Sequence, residues 1–257
     1  MSKPVGRLVP LSLGRRVVCD FLHLSRKLPM VTIQKEMNIA EVVAARVRLT
    51  ARPSWCSIFT KAYGKVVAAR TDLRRAYLTI PWERLFEYTK TTADIVIEAQ
   101  VDGETALVTA PLKRPESTSL LDIDRYLAAC KEQPIERVSG YRTARRVARF
   151  PRFIRNFLWW YALNASGHLR GQWFGTYGVT SVANSGVESL RPLAPWITLV
   201  HYGTIDAQGK VAVRLTYDHR VLDGSGPASA LVEMERMLKT EIVAELASLH
   251  EGLLKAG

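Results

Sequence analysis

Val211-Ala-Val-Arg-Leu-Thr-Tyr-Asp-His-Arg-Val-Leu-Asp-Gly224 decides the fold. Val211, Val213 and Leu215 alternate with Ala212, Arg214 and Thr216, which is the two-residue period of a strand. The alternation gives way at His219 to a turn bounded by Gly224 and Gly226. A histidine there is carried by a rigid strand and can still face a cleft. Imidazole, with an unperturbed pKa near ~6.5, takes and returns protons at neutral pH, so His219 is a candidate general base. On spacing alone the plainer reading is a histidine that is simply hydrogen bonded.

Working outward, the turn leads into a predicted helix from Pro227 to Leu246, with an apolar stripe at Leu231, Met234, Met237, Leu238 and Val243. Upstream, Asp206-Ala-Gln-Gly209 reads as a turn, and Trp196 to Gly203 and Phe174 to Val182 as strands rich in β-branched and aromatic residues. Ala93 to Val101 and Glu104 to Thr109 read as strands about a turn at Asp102-Gly103, and Ala76 to Ile80 as another. Ser12 opens an amphipathic helix reaching Ser25, Met30 to Met37 is extended, and Asn38 caps a helix through Val47. Trp55 to Ala69 and Ser119 to Lys131 complete the predicted helices. The pattern is mixed α/β without a repeat or linker, so one domain over 1–257 is expected.

Composition narrows the classes. The chain has 257 residues, 47% hydrophobic, enough for a sizeable core. Cys19, Cys56 and Cys130 are far apart, in neither zinc spacing nor a disulfide framework, so no metal and a reducing, cytoplasmic setting are expected. No apolar run approaches the ~20 residues that span a bilayer. Net charge is +12, and the excess is local: from Arg137 to Val187 there is no acidic residue, while Arg137, Arg142, Arg145, Arg146, Arg149, Arg152, Arg155 and Arg170 are cationic. Within residues 137–171 basic and aromatic residues interleave. Three readings fit: an arginine surface for a phosphate-bearing or acidic partner beside an aromatic channel, a membrane-surface helix, or a helix with a buried Phe/Trp stripe and a solvated arginine face. No nucleic-acid reading motif accompanies the charge, which sets nucleic acid aside as a partner.

Asp218-His-Arg-Val-Leu-Asp-Gly224 resembles the His-x-x-x-Asp-Gly signature of the dihydrolipoyl acyltransferases of 2-oxoacid dehydrogenase complexes, whose core the chloramphenicol acetyltransferases share. Gly175-Thr-Tyr-Gly-Val-Thr-Ser-Val-Ala-Asn-Ser-Gly186 is similar to that family's Gly-Thr-Phe-Thr-Ile-Ser-Asn-Leu-Gly block. Pro10-Leu-Ser-Leu-Gly-Arg-Arg-Val-Val resembles its first helix. Pro29-Met-Val-Thr-Ile, Asn38 to Arg46 and Ser57 to Ala62 also match in order, so the resemblance covers nearly the whole chain.

The resemblance implies a chloramphenicol-acetyltransferase-like mixed sheet flanked by helices, assembled as a homotrimer or a larger assembly of trimers with the active site between subunits. It implies that His219 acts as general base on the thiol of coenzyme A or on another thiol, hydroxyl or amine acceptor, and that this nucleophile attacks an acyl thioester, coenzyme A or carrier-bound. Thr180, beside Ser181, takes the place of the family's oxyanion-binding serine, a donor worth roughly 3 to 4 kcal/mol. Asp223 is expected to pair with Arg15, or with Arg16, and hold the turn. No lipoyl domain precedes residue 1, so the chain is expected to be freestanding, with acyl-CoA, an acidic acyl-carrier protein or a lipoyl domain supplied in trans as donor. Gly178 in place of Thr and Ala183 in place of Gly are departures that reshape the pocket, and residues 137–171 are the largest one. They leave a second reading, a non-catalytic oligomeric scaffold of the same fold. His23, His168, His201 and His250 are read as structural or surface residues.

Overall fold

In the computed structural model β8 (Lys210–Asp218), the strand that delivers His219, lies between β1 (Met30–Asn38) and β7 (Thr198–Tyr202), antiparallel to both. The sheet continues through β6 (Tyr177–Thr180), β4 (Thr92–Val101) and β5 (Glu104–Lys113) in the order β1-β8-β7-β6-β4-β5. β6 runs parallel to β4 and β7, and β4 antiparallel to β5, so the sheet is mixed as expected. A separate ribbon pairs β2 (Arg75–Leu78) with β3 (Arg84–Glu87). The structure describes residues 6–101, 104–132, 137–181, 189–190, 192–193 and 195–256; the expected turn at Asp102-Gly103 lies outside them.

Each sheet face is covered because each presents apolar residues at the two-residue period. Val211, Val213, Leu215 and Tyr217 of β8 join Ala93, Ile95 and Ile97 of β4 in the larger core. It is filled from above by α3 (Trp55–Ala69), α4 (Leu120–Glu132) and α8 (Ser225–Met237), and by the turn Leu238–Ile242 that leads into α9 (Val243–Ala256). α2 (Ala40–Val47) closes its edge against α9. The smaller core lies on the other face, beneath α1 (Leu13–Ser25), α5 (Ser139–Ala148), α6 (Arg152–Asn164) and α7 (Gly167–Phe174), and contains Val17, Leu24, Val147, Trp159, Phe174 and Trp196.

Helix starts follow local chemistry. Ser12 and Ser54 accept from the backbone N–H groups of Arg15 and Ser57, each satisfying a donor that the first turn leaves open. Asn38 differs from expectation: it ends β1 in register with Lys210, Ile39 is the N-cap of α2, and the Asn38 carboxamide oxygen accepts from Ala40 N–H. Residues 137–171 also differ from the reading with a buried Phe/Trp stripe. Trp159 is buried, but Phe153, Phe157, Trp160 and Tyr161 are exposed. Two arginines expected in solvent are buried instead, Arg155 against Asp20 and Arg170 against the carbonyls of Tyr77 and Leu163. Desolvation lowers the Arg170 pKa.

Candidate active site

His219 follows the last residue of β8, and the chain is fixed on both sides of it. Asp218 N–H donates to Ile197 O at 3.0 Å, and His219 N–H to Pro29 O at 3.1 Å. Val221 and Leu222 N–H return to Asp218 O, which closes the turn, and the Leu222 side chain is buried beneath it. The Asp218 carboxylate is fully buried and accepts from Arg220 Nε at 2.9 Å and Nη2 at 2.6 Å, a bidentate pair. Arg220 N–H adds a bond to Oδ1 at 3.1 Å, and the guanidinium lies 4.7 Å from the centre of the Tyr77 ring. Buried Arg170 stands close enough for Asp218 to act on its charge. His219 is exposed on this rigid support, its ring 5.7 Å from that of Tyr217. Such an arrangement suits a base that must meet a reactant delivered from outside the chain.

Thr180 ends β6, and among the described residues its hydroxyl has no hydrogen-bond partner. Ser181 Oγ donates to Tyr202 O at 3.1 Å, so of the two neighbours Thr180 is the one with a donor to offer. Residues 182–186 of the block that contains them lie outside the described residues. Asp223 is exposed in the His219 turn, and Arg15 is exposed at the start of α1. Among the described residues no ion pair joins Arg15 or Arg16 to Asp223; the carboxylate that does pair with an arginine beside His219 is Asp218.

Thr180 and His219 of one chain are far apart. Register places Thr180 opposite His201 and His201 opposite Arg214, so Thr180 is level with Arg214, two strands from β8. At a rise of about 3.3 Å per residue over the five residues to His219, and about 4.8 Å between strands, the two positions are about 19 Å apart. Side chains of this length cannot meet on one carbonyl across that gap. Thr180 also lies on the sheet face opposite Tyr177 and Val179, which point into the larger core.

Sequence reasoning passed over Arg220 and Tyr77, which fix the turn, over Arg170, whose charge lies near Asp218, and over Asp94. Arg220 stood inside the quoted motif and was the one signal available. Asp94, on β4, is buried, accepts from Trp196 Nε1 at 3.1 Å, and is pushed up to about 7 by burial. The same indole explains Gly178: a Cβ there would stand 2.6 Å from the Trp196 ring. Glycine at 178 and tryptophan at 196 are thus one packing solution. His201 is buried in β7, and His168 packs edge-on against Phe86. Among the described residues, no group of three or more His, Cys, Asp or Glu is placed to hold a metal ion.

No protein-family model matches the chain, and no curated protein matches its sequence. Solved structures do match. The dihydrolipoamide acetyltransferase of Azotobacter vinelandii superposes with a TM-score of 0.68 at 18% identity, over 93% of each chain. A probable dihydrolipoamide acetyltransferase of Listeria monocytogenes gives 0.66 at 15% identity, over 91% of this chain and 95% of that one. A chloramphenicol acetyltransferase gives 0.51 at 12% identity, over 85% and 93%. With the mixed sheet and its two helical layers, these matches show that the chain has the fold of the dihydrolipoamide acetyltransferase catalytic core, which is also that of chloramphenicol acetyltransferase.

Proposed function

We propose that the protein is an acyltransferase whose active site is completed where two copies of the chain meet. The observation that carries this reading is the His219 turn: an exposed imidazole on a backbone bonded to both flanking segments, with a carboxylate, Asp223, four residues on. The catalytic mechanism of the Azotobacter protein has been probed at a serine, a histidine and an asparagine four residues after that histidine. His219 and Asp223 repeat this spacing, with Asp in place of Asn.

In this reading a thiol, of coenzyme A or of another acceptor, approaches His219 and gives its proton to the imidazole. The thiolate forms a bond to the carbonyl carbon of an acyl thioester, and negative charge moves onto the carbonyl oxygen. A hydroxyl aimed at that oxygen stabilises it. Thr180 of a neighbouring copy supplies the hydroxyl, because the Thr180 of the same chain is about 19 Å away. Collapse breaks the bond to the donor sulfur, which takes back the proton from the imidazolium. A homotrimer, with the same contact repeated three times, closes such a heterologous interface.

The test is thioester turnover by His219→Ala, with released thiol as the readout and light scattering to follow the assembly. Turnover is expected to fall by at least about 10²- to 10⁴-fold with the oligomer intact. Retained turnover contradicts the mechanism. A protein that neither turns over thioesters nor binds coenzyme A by calorimetry is the scaffold instead.

A further inference from the structure

On α6 four aromatic side chains face outward. Phe153 is 74% exposed, Phe157 59%, Tyr161 43% and Trp160 39%. At 100° per residue these four and Asn164 fall within an arc of about 100°, on the side opposite buried Trp159 and Ala162. The rings form one patch, with Phe157 6.2 Å from both Trp160 and Tyr161. At the helix end Asn164 O accepts from Thr79 and Ile80 N–H and so holds the loop that carries Trp82, itself 71% exposed. Phe150, 47% exposed, lies at the other end.

The rim is cationic. Arg142, Arg146 and Arg149 lie at helical spacing on the exposed side of α5 and its C-cap, and Arg152 opens α6. No Asp or Glu occurs from Arg137 to Val187, so nothing within the segment offsets them. Aromatic rings, Trp and Tyr among them, flanked by arginine side chains are the composition that settles at the boundary of headgroups and acyl chains. Arginine near an anionic leaflet adds attraction that a neutral one does not.

We propose that this face, Phe153, Phe157, Trp160 and Tyr161 with Trp82, docks on the surface of an anionic lipid bilayer, rings in the interface and arginines on the headgroups. The inference stands whether or not His219 carries acyl transfer.

Flotation with vesicles tests it. The full chain is expected to float with phosphatidylcholine vesicles containing phosphatidylglycerol, with a blue shift of tryptophan emission, and to bind pure phosphatidylcholine at least about tenfold more weakly. Phe153→Ser with Phe157→Ser is expected to weaken binding about tenfold or more with the assembly unchanged. Arg146→Glu with Arg149→Glu, on the exposed rim and tolerant of folding, is expected to do the same. Three results overturn the proposal: no binding to either vesicle, full binding by the arginine variant, or dissociation of the assembly by the phenylalanine variant, which would make this face a contact between copies of the chain.

Discussion

The His219 turn and the α6 face are built on the same device and present opposite chemistry. In each, a buried aspartate holds an arginine through two hydrogen bonds, Asp218 with Arg220 and Asp20 with Arg155. In the turn the pair supports an exposed polar side chain, His219. In the helix it supports exposed rings, while Trp159 Nε1 adds a bond to Asp20 from the buried side. The two pairs differ in depth. The Arg155 side chain is 10% exposed and Arg220 25%, and Asp218 also has the charge of Arg170 nearby. The Arg155–Asp20 pair thus ties α6 to the smaller core, while the Arg220–Asp218 pair, with the shallower arginine, supports the turn that presents His219.

Breaking the deeper pair should have the larger effect on stability. Among the described residues, Asp20→Ala leaves the Arg155 guanidinium only Phe150 O as a hydrogen-bond partner, and an uncompensated buried charge costs about 3–5 kcal/mol. For a chain of this size that lowers Tm by about 10 °C, read by calorimetry. A loss below about 1 kcal/mol would erase the distinction in depth. Arg220→Met should cost less, about 1–3 kcal/mol, because Asp218 keeps the bond from the backbone N–H of position 220 and the nearby Arg170. Its turnover should fall further than its stability, by about 10- to 100-fold in kcat with KM little changed, as expected of a positioning residue. Equal losses in KM and kcat would point to a general collapse of the turn.

Asp94 sharpens the contrast, being a buried aspartate with no arginine partner among the described residues. Burial raises it to about 7, so between about pH 4 and pH 7 the folded chain holds a proton that the unfolded chain releases. Stability from this group is full below about pH 4 and is lost as pH rises through about 7. Asp94→Asn should flatten that part of the pH–stability curve and raise Tm at pH 8 relative to the parent. An unchanged slope would place the titration elsewhere.

Much of this was legible in the sequence, and what was not has physical causes. The period of Val211 to Tyr217 and the cap at Ser12 are local signals, and each names an element the structure contains. α3 is read correctly to both ends. β3 was missed because Arg-Leu-Phe-Glu is short, pairs only with β2 and is half exposed along its length. The Asp20–Arg155 pair joins residues 135 apart, a separation no local pattern reports. In α6 periodicity fixes which side chains share a face but not which face turns inward; burying Arg155 with Asp20 settles that and leaves the phenylalanines outside. At the candidate site, the resemblance names His219 and Thr180 and implies a site between subunits; the register of β6, β7 and β8 adds the physical reason, a separation of about 19 Å within one chain.

Complementation tests the shared site most directly. His219→Ala and Thr180→Val are each expected to have little turnover as pure proteins. Co-expressed in equal amounts, they form mixed trimers in which about a quarter of the interfaces join an intact His219 to an intact Thr180. Recovery of about a quarter of parental activity is the predicted result. Turnover no higher than that of either variant alone, in trimers shown to be mixed, would contradict a site built from two chains.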